Sequence, residues 1–350
     1  MKIIEIQEVF LISVIPILHL IGFICNIICV KIFYSEKKFK NNIYRYLIAK
    51  SIISALVTSI LSFAPFTQCF SICERWLNAY FIKFYKKYAA AYLVRSLDMI
   101  STLLSVSIVI DRYLCFIGIK FKREKLIFTY LLIAYTCFSF LLFMPNTLFS
   151  DIIKQNKTTN YTLDDYTTSR IDIKSNKIEI NEVFVYVPTR YLQNNLFRTG
   201  VFITQYSISI LFFLIVAFFN SILVYGIHKK LKNSNKIVKF TYTARSKSKK
   251  RNNLGYTESK KVKSQSAEKN VTKLVCLKSS LFLIHQIAIQ IINTALTTMD
   301  ISSASYNFIV IFYHLFAWMF YGTNIFIFQA CNKEFSSKLK KIKFQLLKWT

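Results

Sequence analysis

VFITQYSISILFFLIVAFFNSILVYGI, from Val201 to Ile227, contains no charged side chain. A run of this length crosses the roughly 30 Å hydrocarbon core of a bilayer when it is helical. Working outward, six further apolar stretches flank it. The spans fall at about 9–33, 43–68, 88–115, 126–149, 199–227, 274–298 and 306–329. Val9 to Phe33 lacks a basic flank beyond Lys2 and a small-x-small cleavage site, so it reads as a retained span and not a leader. Lys50, Arg95, Asp98 and Lys278 lie in or near spans two, three and six. A charge at mid-bilayer costs several kcal/mol, about 3 on insertion scales. These side chains must therefore snorkel to an interface or face other helices.

Composition agrees with a membrane protein. Hydrophobic residues make up 54% of the 350-residue chain, which excludes a disordered basic protein. The formal net charge is nevertheless +29, from 46 Lys and Arg against 17 Asp and Glu, so oil and charge must be separated along the chain. They are. Residues 31–45, 120–125, 229–278 and 333–348 together hold 31 basic and 5 acidic residues, and everything else is nearly neutral. Positive segments stay inside, which places the N-terminus outside and the C-terminus inside. The sequons at Asn156 and Asn160, in the 150–198 loop, fall on the outer side under that orientation. The basic run Lys247-Ser-Lys-Lys-Arg251 could be read as a nucleic-acid arm. Placed between two spans, it reads instead as a solvated loop against an anionic inner leaflet, and no nucleic-acid partner is expected.

The third span ends Ser107-Ile-Val-Ile-Asp111-Arg112-Tyr113-Leu-Cys-Phe116. With this tripeptide at the inner end of span three of seven, the chain resembles the rhodopsin-like (class A) G-protein-coupled receptors. The resemblance implies an all-α membrane protein, a seven-transmembrane helix bundle with a short amphipathic C-terminal helix. The receptor domain would cover 1–330, with a basic inner loop at 228–273, and the cytoplasmic tail 331–350. Arg112 would be held at rest by Asp111 and released on activation, with Tyr113 beside it. Asn26, in Asn-Ile-Ile-Cys-Val30, matches the family's first-helix Asn-x-x-x-Val, a structural amide. Tyr225 matches a Tyr that swings inward on activation. Glu268 matches the sixth-helix acid that latches onto the third-helix Arg; the plainer reading is a solvated loop glutamate. Phe282 matches a Phe near the bend of that helix. Asn324 and Phe328 stand where the family has Asn-Pro-x-x-Tyr. Beyond them Phe335, Leu339, Ile342 and Leu346 recur at helical spacing among lysines, as in an interfacial helix. Cys331 is either a palmitoylation site there or a buried thiol.

The departures are equally specific. Ile52 occupies the place of the family's second-helix Asp, so a sodium site of the family type is not expected. Cys-Trp-x-Pro of the sixth helix becomes His285-Gln286-Ile287-Ala288, and Ile325 replaces the seventh-helix Pro. These losses fit a divergent branch, such as a nematode- or flatworm-type orphan, chemosensory or peptide receptor. The family's usual disulfide cannot form, because residues 150–198 hold no Cys. Cys69 and Cys73 either bridge each other or are kept apart by the end of helix two. No metal-ligand spacing, cofactor motif or nucleophile–base pair is visible, so neither an enzyme nor a metal site is expected.

The ligand side is less constrained. Arg95 and Asp98 can share a helix face, either to hold a charged ligand group or to neutralise each other. Gln286, Gln290 and Asn293 form one polar stripe on span six, and His285 and His314 add polar candidates on spans six and seven. The long charged second outer loop favours a neuropeptide over a small odorant. The expected partners are an extracellular ligand, the lipid bilayer and a heterotrimeric G protein on the cytoplasmic side. The rival readings are a seven-helix transporter or channel and a degenerate receptor that does not couple. The first lacks the internal repeats and broken helices of many transporters.

Overall fold

The computed structural model describes residues 3–35, 42–69, 79–117, 119, 124–148, 150–160, 178–189, 195–245, 274–292, 295 and 304–347. Helix α1 is Ile3–Ser35 and α2 is Asn42–Leu61, followed by a 3-10 turn at Ala64–Thr67. Helix α3, Val94–Phe116, continues an N-terminal extension made of Tyr80–Phe84 and a π-helical stretch Tyr85–Leu93. Helix α4 is Glu124–Phe143, α5 is Asn195–Arg245 and α6 is Leu274–Ile292. Helix α7, Ala304–Gly322, is bent by 41° from α8, Asn324–Cys331, and α9, Lys333–Leu347, ends the described chain. Among the described residues six helices are long and apolar enough to cross a membrane, and seven if the bent pair α7–α8 is one span.

The order of burial explains the arrangement. In the apolar segment of Tyr80–Cys115, 78% is buried, against 11% for Leu126–Leu148 and 17% for Leu196–Gly226. Helix α3 is the central post, and α4 and α5 present most of their apolar surface outward. Ile17, Leu20, Ile21, Ile24 and Ile27 of α1 also point outward. A water-soluble domain would not leave such a surface uncovered; lipid covers it. The interior holds the exceptions, including Asn26, Ser101, Ser105, His285 and Asn324.

Polar bonds fix the interhelical spacings. Asn26 Nδ2 donates to the carbonyls of Gly22 and Tyr321, both at 2.8 Å, and its Oδ1 accepts from Asn324 Nδ2 at 2.6 Å. One amide thus ties α1 to α7 and α8. Ser107 and Tyr135 hydroxyls join α3 to α4 at 2.6 Å, and Ser279 donates to Asn220 Oδ1 at 2.8 Å between α6 and α5. The bend between α7 and α8 needs no proline. Gly322 closes α7, and Thr323 turns its hydroxyl back onto the Met319 carbonyl, which loosens the backbone ladder there.

The structure extends the sequence reading in three places. Helix α5 continues to Arg245, so residues 228–245, read as inner loop, are helical. No Gly or Pro stands between Gly226 and Gly255 to stop it. Strands β1, Ser150–Asn160, and β2, Ile178–Pro188, form an antiparallel hairpin between α4 and α5, where no strand was expected. Val183, Phe184, Val185, Tyr186 and Val187 supply the β-branched and aromatic residues that suit it. Finally, Lys50 and Lys278 do not snorkel; both are buried among the helices.

Helices α1 and α7 approach most closely at Gly22 and Gly322. A Cβ on Gly22 would lie 3.0 Å from the Gly322 Cα, and one on Gly322 would lie 2.8 Å from the Trp318 ring. Gly22→Ala must push two backbones apart, and overpacking of this kind costs about 1–3 kcal/mol. It is expected to lower the melting temperature of detergent-purified protein. Gly200→Ala, which meets nothing within 4 Å, serves as the control that leaves melting unchanged or slightly raised. Equal melting of Gly22→Ala and wild type would refute the close contact.

Candidate functional site

Two regions carry the residues that the sequence singled out. The first is a cavity of about 460 Å³ in the bundle half that holds the hairpin end of the helices. Its walls come from α2, the π-helical stretch, α3, α5, α6 and α7. Arg95 and Asp98 of α3 and His285, Gln286 and Gln290 of α6 all line it. The π-helical segment brings Lys86, Ala90 and Ala91 to the same wall. Widened turns of this kind re-aim side chains and often mark functional sites.

Arg95 and Asp98 share the cavity without pairing: among the described residues no ion pair joins them. Tyr321 of α7 donates its hydroxyl to Asp98 Oδ1 instead. The carboxylate is thereby committed to α7, while Lys86 and Arg95 stay exposed in the lining with no carboxylate partner among the described residues. Tyr321, Tyr313, Lys86 and Gln205 were not singled out from sequence. Gln205, one of two side-chain amides in a charge-free run, was the available signal. It bonds the Leu142 carbonyl at 3.1 Å and Asn146 Oδ1 at 3.2 Å, so it joins α5 to the end of α4.

His314 is a correction. It does not line the cavity but faces α1 and α2. Its Nε2 donates to Gln68 Oε1 at 2.8 Å, so Nδ1 must accept, and His19 Nε2 donates to it at 3.2 Å. Both rings are fully buried. His285 lines the cavity but works mainly by packing. Its ring stacks on Phe320 at 4.1 Å with 4° between planes, and meets Tyr321 edge-on at 5.6 Å. An aromatic contact between α6 and α7 is therefore present although α6 carries no Trp. Phe282, one turn below, is buried 6.2 Å from the same Phe320 ring.

The second region is the opposite end of α3. Asp111 Oδ2 lies 3.6 Å from an Arg112 terminal nitrogen, and both side chains are about 15% exposed. The Arg112 Nε is buried without a hydrogen-bond partner. The Tyr113 ring packs against Phe219 of α5 at 5.3 Å. Tyr225 is 69% exposed and points away from the bundle. Phe328 of α8 is buried in an aromatic cluster with Phe33 of α1 and Phe335 of α9, at 4.8 and 5.5 Å. Asn332 Oδ1 accepts from the Phe335 amide at 3.1 Å and so caps α9. Cys331 is half-buried and not in a disulfide. Cys69 is disulfide-bonded. Glu268, Asn293 and Cys73 lie outside the described residues. Asn156 and Asn160 sit on β1, at register positions opposite Glu182 and Ile178. No group of three or more metal-ligating side chains occurs among the described residues.

This arrangement is a seven-helix membrane bundle of the rhodopsin fold. The crystal structure of squid rhodopsin aligns with it at a TM-score of 0.62 and 16% sequence identity, over 98% of this chain and 87% of that one. No protein-family model and no curated protein matches the chain.

The Tyr321–Asp98 bond is open to test. Tyr321→Phe and Asp98→Asn, alone and combined, form a double-mutant cycle read by thermal melting. A buried bond to a charged group predicts a coupling of about 1.5–3 kcal/mol. Additive effects would show that the two groups do not interact.

Proposed function

We propose that the chain is a G-protein-coupled receptor in the plasma membrane, with its N-terminus outside and its C-terminus in the cytoplasm. It binds an extracellular ligand in the 460 Å³ cavity and activates a heterotrimeric G protein at the end that carries Arg112. The observation that carries this reading is the state of Arg112. It is a largely buried guanidinium, held by its neighbour Asp111 and with an unpartnered Nε, at the inner end of the central helix. Such a group can exchange one partner for another at little net cost, which is what a switch requires. The charge asymmetry of the loops supports the orientation. A cavity of this volume takes a drug-sized molecule. A peptide, which the long outer loop favours, would put only its end into the bundle. Lys86 and Arg95 favour an acidic group on whatever enters. Ligand binding shifts the balance between resting and active bundles by the difference in affinity for the two. Glu268 is proposed as the resting-state partner of Arg112, and Asn156 and Asn160 as glycosylation sites on the outer hairpin.

The test is nucleotide exchange on a panel of heterotrimeric G proteins by the protein expressed in membranes. Wild type is expected to catalyse exchange, Arg112→Ala to abolish it, and Glu268→Gln to raise the basal rate. Ion or solute flux that survives Arg112→Ala, with no exchange by wild type on any G protein, would replace this reading with a transporter or channel. Surface expression with neither activity would point to a receptor that does not couple.

A further inference from the structure

The winding of the segment that leads into α3 decides which charges meet in the large cavity. Lys86 lies in the π-helical stretch Tyr85–Leu93, and Arg95 lies just beyond it in the first turn of α3. Nine residues make about two and a half turns of an α-helix, which would put the two side chains on opposite faces. The i→i+5 bonding of a π-helix takes up roughly four and a half residues per turn instead. Wound that way, positions 86, 90, 91 and 95 return to one side. Lys86, Ala90, Ala91 and Arg95 accordingly line the cavity together. The two alanines place no bulk on the wall between the cations.

The cavity does not balance this charge. Among its described lining residues only Lys86, Arg95 and Asp98 are charged. Asp98 lies one turn further along α3, accepts from Tyr321, and has Lys50 of α2 as well as Arg95 for a charged neighbour. One carboxylate thus stands against three cations. Lys86 and Arg95 are both exposed side chains on the cavity wall. An ionisable group within a membrane span is costly unless it is paired or serves a ligand. The other polar lining includes Gln205 of α5 and Gln286 and Gln290 of α6, neutral amides that supply no negative charge.

We propose that the ligand of this cavity is an organic dianion, with one acidic group on Arg95 beside the Asp98–Tyr321 floor and the other on Lys86 further out. Resting on the reading that the cavity is a receptor's ligand site, this narrows its occupant from one acidic group to two at a limited spacing. Residues nine apart lie at most about 13 Å from each other along a helix axis, and both side chains are long enough to lean together. The Arg95 guanidinium suits a carboxylate through two parallel N–H donors. A short carbon chain between two carboxylates spans the gap, and a cavity of about 460 Å³ holds it. A small dicarboxylate offers this chemistry, and so does a peptide that ends in an acidic residue with a free C-terminus.

The experiment is thermal melting of detergent-purified protein, which needs no G protein, with the linear dicarboxylates from succinate to sebacate. Each is compared with the monocarboxylate of the same chain length, at ionic strength equalised with sodium chloride. One length is expected to be best and to raise the melting temperature by roughly 2–4 °C at ten times its dissociation constant. Its monocarboxylate is expected to bind at least tenfold more weakly. Arg95→Gln and Lys86→Gln should each reduce the dicarboxylate to the affinity of the monocarboxylate, whereas Lys83→Gln, outside the lining, keeps the preference. If a variant fails to fold, the two acid series on the wild-type protein still decide. Displacement of the carbon-14-labelled dicarboxylate by a short peptide ending in glutamate, with its C-terminus free but not amidated, would assign the dianion to a peptide end; displacement by neither form would assign it to a small molecule. Dicarboxylates that bind no better than monocarboxylates at every length, or a preference that survives Lys86→Gln, would overturn the dianion site. Dicarboxylate binding without nucleotide exchange on any G protein would leave the site standing and overturn the receptor reading, and exchange driven only by uncharged or singly charged ligands would do the reverse.

Discussion

The amide of Asn26 sets the frame for everything else in this bundle. In hydrocarbon a polar group without a partner costs several kcal/mol, so a mid-helix asparagine must be fully satisfied by its neighbours. Asn26 meets that demand across three helices at once: its own turn through Gly22, α7 through the Tyr321 carbonyl, and α8 through Asn324. Both Asn26 and Asn324 are essentially without solvent contact. The contact requires α1 and α7 to approach within the reach of a short side chain, which only Gly22 and Gly322 permit. It also fixes the start of α8 and hence the direction of the 41° bend. Beyond that bend, Phe328 is delivered into the Phe33–Phe335 cluster, which packs the start of α9 against α1.

From that frame the two ends of the molecule acquire different character. Toward the hairpin, the helices diverge enough to leave a cavity whose floor is Asp98 and Tyr321 and whose wall carries Lys86 and Arg95. Toward the other end, packing is tight and aromatic, and the polar groups become few and specific. Tyr321 belongs to both regimes. Its carbonyl receives Asn26 and its hydroxyl serves Asp98. Anything that displaces Asp98 in the cavity therefore acts on the residue whose backbone holds α1 to α7.

Much of the fold was legible in the sequence because the bilayer imposes a length and a hydropathy that few other environments require. The seven spans and the amphipathic α9 follow from that alone. The phase of each helix was harder to read. Gln286 and Gln290 are part-buried and line the cavity, yet His314, fully buried, faces α1 and α2, since polarity marks a side chain as inward without saying toward which neighbour. Lys50 and Lys278 were recognised as costly, but two outcomes, snorkelling or burial, were open until the helices were packed. The pairing of Tyr321 with Asp98 joins residues 223 positions apart and leaves no local trace. The π-helical stretch is likewise silent, because Tyr85-Lys-Lys-Tyr-Ala-Ala-Ala-Tyr-Leu93 has no Gly or Pro to announce a change of winding.

The β1–β2 hairpin has no disulfide tie to α3. No cysteine occurs in residues 150–198, and the nearest disulfide-bonded cysteine, Cys69, belongs to the segment after α2. The hairpin is joined to the bundle through its two ends, near Leu148 and Asn195, and rests against Tyr80–Phe84. Strand-to-strand hydrogen bonds hold its shape from within, over eleven residues on each side. Such a cap is modular. Its length and surface can drift or be exchanged while the helices beneath keep their packing, because its hydrogen bonds close on themselves and no cysteine of its own can cross-link it to the bundle.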